Sequence, residues 1–242
     1  MTYFLTSSHC VEGAPILNPA NGLVDTLRSV LPTPCRALFV CSDGDNHAFT
    51  DRIAQESKEI FERAGFEFLR YKILDRRNGG QTAELVHEAD FMILAGGHVP
   101  TQNRFLQEVN LREVMAHYDG VVFGISAGSM NCADNVYAQP ELQGEAADPN
   151  YKRYLPGLNI TKTMVLPHYQ MVKDHVIDGL HLFKDIAHAD SMGRCFYAMV
   201  DGTYVFGQNG TEELRGEAYR IQNGTFQQIT REGDRTLLFS NG

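Results

Sequence analysis

The run Val121-Val122-Phe123-Gly124-Ile125-Ser126-Ala127-Gly128-Ser129-Met130-Asn131 constrains this chain more than any other stretch. Its first three residues are apolar and read as a buried strand. The strand then breaks into Gly-x-Ser-x-Gly, built from Gly124, Ser126 and Gly128. That spacing predicts a nucleophile elbow, a sharp strand-to-helix turn that lifts one hydroxyl above a sheet edge. Glycines flank the serine because a Cβ would collide in so tight a turn. The helix behind it begins with backbone N–H groups that have no intrahelical acceptor. A nucleophile, Ser126, and an oxyanion donor, the Ala127 N–H, are therefore expected side by side. The same pattern can also be a Gly/Ser turn without chemistry. The apolar strand in front and the small residues behind favour the elbow.

An elbow needs a sheet, and the upstream residues supply one. Strand patterns at residues 3–6, 36–41, 66–74 and 91–94 alternate with helix patterns at 23–31, 46–64, 81–89 and 100–117. Pro32 and Pro34 stop the first helix, and Gly65 closes the second in the manner of a C-cap. Ile53, Ile60 and Phe61 form the buried stripe of that second helix. Alternation of this kind means βαβ units, a mostly parallel sheet and right-handed crossovers. The expected fold is therefore α/β: a three-layer, doubly wound, flavodoxin-like core. Downstream, residues 137–155 read as a polar surface excursion and 158–166 as an extended run. A helix is expected over 172–189. Strands at 195–200 and 203–206 flank Asp201-Gly202, and a β-hairpin over 218–229 turns at Asn223-Gly224. Residues 235–240 read as an edge strand, whose open hydrogen-bonding groups are compatible with a homodimer. No repeat, linker or boundary interrupts the chain, so residues 1–242 read as a single α/β domain.

Composition narrows the function. With 242 residues and 43% apolar side chains the chain can build a full core. A formal charge of -9 argues against a nucleic-acid partner, which would call for a basic face. The five cysteines, Cys10, Cys35, Cys41, Cys132 and Cys195, are scattered and form no Cys-x-x-Cys pair. Neither a disulfide framework nor a zinc knuckle follows, and a reducing cytoplasm is the expected setting. Residues 1–8 lack a signal-peptide pattern, and no apolar stretch approaches a membrane span.

A serine at an elbow needs a base, and the base needs an orienting acid. His168 is the leading base, because it follows the apolar run Met164-Val165-Leu166 and Pro167. It thus leaves a strand where ligand sites of open α/β sheets gather. Asp201 is the leading acid, again at a strand end and before a glycine. Glu141, Glu145 and Asp134 are the alternatives. His175, His181 and His188, with Asp174, Asp178 and Asp185, read as a solvated helix face, and no metal is assigned. Gly96-Gly97, after the strand at 91–94, can supply a second oxyanion donor and a close approach for substrate. Neither Gly-x-Gly-x-x-Gly nor a phosphate-binding loop is present, so no cofactor is expected.

Four motifs together resemble one family. Leu94-Ala95-Gly96-Gly97, Gly124-Ile125-Ser126-Ala127-Gly128-Ser129, Leu166-Pro167-His168-Tyr169 and Val200-Asp201-Gly202 occur in the order of the S51 serine peptidases. That group includes dipeptidase E (aspartyl dipeptidase) and cyanophycinase. The resemblance runs from about Tyr3 to about Phe206 and implies a class I glutamine-amidotransferase-like fold. It implies Ser126 as nucleophile, His168 as general base, and an acid at Asp201, with Glu141 as the alternative. Gly97 and Ala127 would form the oxyanion hole, with Gly96 and His98 near the substrate. His98 departs from the family, which commonly carries Asn there. The implied substrate is a small peptide, and an N-terminal aspartate would need a cation for which Arg104, Lys162 and Lys173 are candidates. Residues 137–155 would wall the site against longer chains.

Other readings compete. An amidotransferase would place Cys at the elbow and Glu two residues after its histidine, where this chain has Ser126 and Gln170. An α/β-hydrolase esterase keeps its histidine near the C-terminus, whereas the last histidine here is His188. A non-catalytic binding protein on the same fold is the remaining alternative.

Overall fold

The computed structural model describes residues 1–240. Its first part runs β1 (Thr2–Thr6), α1 (Leu23–Val30), β2 (Cys35–Val40), α2 (His47–Arg63), β3 (Phe68–Leu74), α3 (Thr82–Glu88) and β4 (Phe91–Leu94). It continues with α4 (Val99–Glu108), α5 (Leu111–Met115), β5 (Val121–Ile125) and α6 (Ala127–Asn131). Next come β6 (Asn135–Tyr137), β7 (Tyr154–Pro156), β8 (Met164–Leu166), α7 (Tyr169–Val172), β9 (Val176–Ile177) and β10 (Leu180–His181). A π-helix (Leu182–Ala187) and α8 (His188–Asp190) lead into β11 (Cys195–Met199) and β12 (Tyr204–Gln208). The chain closes with β13 (Thr211–Arg215), β14 (Ala218–Gln222), β15 (Thr225–Thr230) and β16 (Arg235–Ser240).

Two sheets organise these elements. The larger has the order β16-β13-β12-β1-β5-β4-β2-β3. Its β1, β5, β4, β2 and β3 are parallel, as helical crossovers require. Strands β12, β13 and β16 extend it antiparallel. Side chains alternate across this sheet with period 2. Phe39, Phe91 and Phe123 face α1 and α2, where Leu23, Leu27 and Phe61 cover them. Phe61 meets both Phe91 and Phe123 edge-on at 5.4 Å, an arrangement aromatic quadrupoles favour. Leu38, Met92 and Val122 face the other way, against Leu85 of α3, Phe105 of α4 and Met130 of α6. Runs such as Phe91-Met92-Ile93-Leu94 are apolar throughout because both faces are buried. No helix among the described residues is long and apolar enough to cross a membrane.

Four elements differ from expectation. The helix expected over 172–189 forms only from Leu182 onward, as the π-helix and α8. Asp178-Gly179 instead turns with φ of 52° and 81° and closes the small hairpin β9–β10. Asp-Gly is a strong two-residue hairpin signal, and here it overrides the helical spacing. The helix expected over 100–117 breaks into α4 and α5 at Asn110, which takes φ 52°. The hairpin over 218–229 forms as β14–β15, but it is no appendage. It belongs to a second sheet of order β15-β14-β11-β8, in which β11 and β8 run parallel. Strand β13, absent from the sequence reading, looks polar because its inward residues are Glu212 and Leu214.

The excursion over 137–155 is anchored at both ends. Its flanks pair as β6 and β7, and buried Tyr137 stacks on Phe196 at 4.2 Å. The tip is held by the Asp178 carboxylate, which accepts from the Gln143 side chain and from the N–H groups of Gly144, Ala146 and Ala147. Asp178→Ala is expected to destabilise the protein by about 1–2 kcal/mol, since each such charge-assisted bond adds a modest net amount. Amide exchange at Gly144, Ala146 and Ala147 should rise with it. Unaltered exchange at those amides would show that another contact holds the tip.

Candidate active site

The site forms where the carboxyl ends of strands from both sheets converge. In the larger sheet β1 and β5 are parallel neighbours with Thr6 opposite Ile125. The next residues, Ser7 and Ser126, therefore leave the sheet side by side. In the second sheet Leu166 on β8 stands opposite Ala198 on β11. Continuing both strands brings His168 and Asp201 together at the same edge.

Ser126 sits at the elbow with φ 49° and ψ -110°, a conformation that costs an ordinary side chain of the order of 1–3 kcal/mol. Packing enforces it. A Cβ on Gly128 would lie 2.3 Å from the Leu94 carbonyl oxygen, and one on Gly124 would lie 2.7 Å from Ser129 Cα. Hydrogen bonds brace the turn from β1. The Ser126 N–H and the Ser129 hydroxyl both donate to the Thr6 carbonyl, at 3.1 and 2.8 Å.

Three side chains join in one line. Ser126 Oγ is 2.9 Å from His168 Nε2, and His168 Nδ1 is 2.8 Å from Asp201 Oδ1. Two further residues hold this line, and the sequence marks neither as part of it. Ser7 Oγ accepts from the His168 N–H at 2.7 Å and lies 2.7 Å from Asp201 Oδ1, to which it donates. Gln170 Oε1 accepts from the Asp201 N–H at 3.0 Å. Gln170 stood out only as the wrong residue for glutamine hydrolysis. Ser7 had one available signal, its place directly after the first strand. Burial alone would raise the Asp201 pKa, but the hydrogen bond and charge of His168, with help from Ser7 and Gln170, outweigh it. The carboxyl settles below its ordinary value. An ionised Asp201 holds the proton on Nδ1 and leaves Nε2 free to accept one.

Gly96 and Gly97 lie against the elbow. Gly97 has φ 156°, and a Cβ there would stand 2.6 Å from Ser42 Cβ. Gly96 is less confined, with the nearest atom, the Ile125 carbonyl oxygen, 3.4 Å from an added Cβ. Gly97→Ala should therefore displace the loop carrying the second N–H donor and lower kcat/KM by ~10²-fold, the scale of losing one oxyanion donor. Gly96→Ala should stay within about threefold of the parent, since an ordinary contact costs little. Equal losses in the two variants would remove Gly97 from the site. The Ala127 N–H opens α6 and has no acceptor inside the helix.

The other candidates lie apart from the Ser126–His168–Asp201 line. Both ring nitrogens of His98 are engaged, Nδ1 with Thr101 Oγ1 and Nε2 with Glu145 Oε1, each at 2.8 Å. His98 thus ties the Gly96-Gly97 loop to the excursion instead of presenting a free nitrogen. Glu145 also accepts the N–H groups of Glu141 and Leu142. Glu141 makes no contact with His168. Crowding by surrounding atoms, then the Glu145 charge, push its carboxyl up to about 7. The residue is nonetheless open to solvent, which screens it from the Glu145 charge. Asp134 is occupied by Lys162 and Arg112. Lys162 is thereby spoken for, Lys173 lines a cavity beside α7, and Arg104 is exposed on α4. His175, His181 and His188 are dispersed over a loop, β10 and α8. Among the described residues no three His, Cys, Asp or Glu side chains gather as a metal site.

The sequence profile of Peptidase family S51 matches residues 4–214, which ends before the β14–β15 hairpin. A search of curated proteins finds no match. Among solved structures, a peptidase from an acI-B1 Actinobacterium is similar, with a TM-score of 0.69 and 17% identity. That comparison covers 98% of this chain and 96% of the other. A Listeria monocytogenes EGD-e protein described as a peptidase E aligns with a TM-score of 0.61 and 16% identity. It covers 95% of this chain and 98% of its own. At these identities the two structures speak for the fold.

Proposed function

Because the chain belongs to peptidase family S51, we propose that it is a serine-type peptidase, of exopeptidase or dipeptidase type, acting on small peptides. The observation that carries this reading is the unbroken line from Ser126 Oγ through His168 to Asp201. Ser126 Oγ attacks the scissile carbonyl while His168 Nε2 takes its proton. The Gly97 and Ala127 N–H groups hold the oxyanion, and Asp201 stabilises the imidazolium. His168 then protonates the leaving amine. A water, deprotonated by the same nitrogen, releases the acyl group and regenerates Ser126. Water is the only co-reactant this chemistry asks for.

The excursion favours short substrates, because Glu145 fastens it to His98 beside Gly97. The five unbridged cysteines fit a reducing cytoplasm. An N-terminal aspartate would require a cation; of the three sequence candidates Lys162 pairs with Asp134, Lys173 follows α7, and Arg104 is exposed on α4. The test is therefore a panel of Asp-X, β-Asp-X, Glu-X and Ala-X dipeptides, run beside a serine-reactive fluorophosphonate. Turnover of one class together with labelling at Ser126 supports the reading. A protein that neither labels nor cleaves any member is not a peptidase of this kind.

A further inference from the structure

A cavity of about 520 Å3 opens beside α7, with Tyr169 and Lys173 in its lining. Its size falls within the range of about 300–1,000 Å3 typical of small-molecule sites. Three aromatic rings form one corner. Tyr169 meets Phe183 edge-on at 5.2 Å and Phe226 at 5.4 Å, and Phe183 meets Phe226 at 6.3 Å. Phe226 is 43% exposed, a large apolar surface left open at the cavity wall. The π-helix supplies Phe183 and Lys184 to the lining. Such wide turns are rare and recur at functional sites.

The charges around the rings are specific. Lys173, Lys184 and Asp174 all line the cavity, and none forms an ion pair among the described residues. Asp174 shares the cavity lining with Tyr169, Phe183 and Phe226. Two ammonium groups, the His188 ring and one carboxylate around an apolar corner complement a ligand with a ring, a carboxylate and an ammonium. A simple fatty acid would leave Asp174 unanswered and repelled. A cationic amine alone would face two lysines.

We propose that this cavity is a second, non-catalytic binding site for a zwitterionic aromatic amino acid. Its ring packs against Tyr169, Phe183 and Phe226, its carboxylate meets Lys173 and Lys184, and its ammonium meets Asp174. Peptide hydrolysis is the class of reaction that releases such a ligand, but the site itself does not depend on the reading of Ser126.

Calorimetric titration of the whole protein with L-phenylalanine tests the assignment. N-acetyl-L-phenylalanine, L-phenylalaninamide and L-alanine each remove one of the three recognised groups. Saturable binding of L-phenylalanine is expected, with each analogue at least about tenfold weaker, or 1.4 kcal/mol. Asp174→Asn, Lys184→Met and Phe226→Ala should each weaken L-phenylalanine at least about fivefold, with unchanged circular dichroism. Asp174→Asn is nearly isosteric and keeps the test decisive where Phe226→Ala disturbs the hairpin. No saturation by about 10 mM, an affinity weaker than about -3 kcal/mol, overturns the proposal. Equal binding of the analogues, or binding indifferent to all three variants, overturns it as well.

Discussion

Ser126→Ala is expected to lower kcat/KM on the preferred dipeptide by at least about 10³-fold. The substitution removes one oxygen and nothing else the elbow depends on. The turn is held by the tight packing of Gly124 and Gly128 and by the bonds to Thr6, all of which survive. A variant with parental stability and no activity would isolate the chemical role of the hydroxyl. Residual activity should remain above the uncatalysed rate, because the N–H donors at Gly97 and Ala127 still favour the charged transition state. His168→Ala should cost a similar amount, and the double variant little more, since the two residues act as a unit. Initial rates with the four-member dipeptide panel provide the measurement. Retention of more than about a tenth of parental activity in Ser126→Ala would remove it as nucleophile.

Asp201→Asn has the second-largest expected effect, about 10³–10⁴-fold in kcat. The loss comes from the tautomer. An ionised Asp201 accepts from Nδ1–H at 2.8 Å, leaving Nε2 to accept the serine proton. An amide can instead donate to Nδ1, moving the proton to Nε2, where it faces Ser126 uselessly. Glu141→Gln is the matched control and should change activity by less than about threefold, the range of a surface substitution. If the two outcomes were reversed, the acid would lie in the excursion after all. Linkage gives a second readout. The folded pKa of Asp201 is depressed, so its contribution to stability is present above the ordinary carboxylate value. It is lost as pH falls through the lower folded value. Asp201→Asn should therefore flatten the acid limb of a stability profile, while His168→Ala removes the main partner that depresses the carboxyl.

Much of the site was legible because each of its members ends a strand. Ser126, His168 and Asp201 all follow short apolar runs, and strand ends are where open α/β sheets expose function. The elbow glycines were equally readable, since Gly128 beneath Leu94 leaves no room for a Cβ. The polar supports were not. Ser7 and Gln170 act through a hydroxyl and an amide that suit almost any loop, and their meaning depends on which strands neighbour theirs. The helix expected over 172–189 shows the converse error. Its residues have helical spacing, yet Asp178-Gly179 turns the chain back and spends its carboxylate on the excursion.

By itself the sequence determined the parallel α/β core and the elbow with Ser126, and it put His168 first as the base and Asp201 first among four acids. The core and the elbow follow from local patterns: short continuous apolar runs, the helix patterns between them and residues that only a tight turn accepts. Tertiary structure alone decided that β8 and β11 lie side by side in a second sheet, which brings His168 onto Asp201. It also decided that Ser7 bridges the two sheets and that His98 binds Glu145. Those pairings join residues 33 to 194 positions apart in the chain. Their partners are chosen by strand register and packing across sheets, which no local pattern of residues encodes.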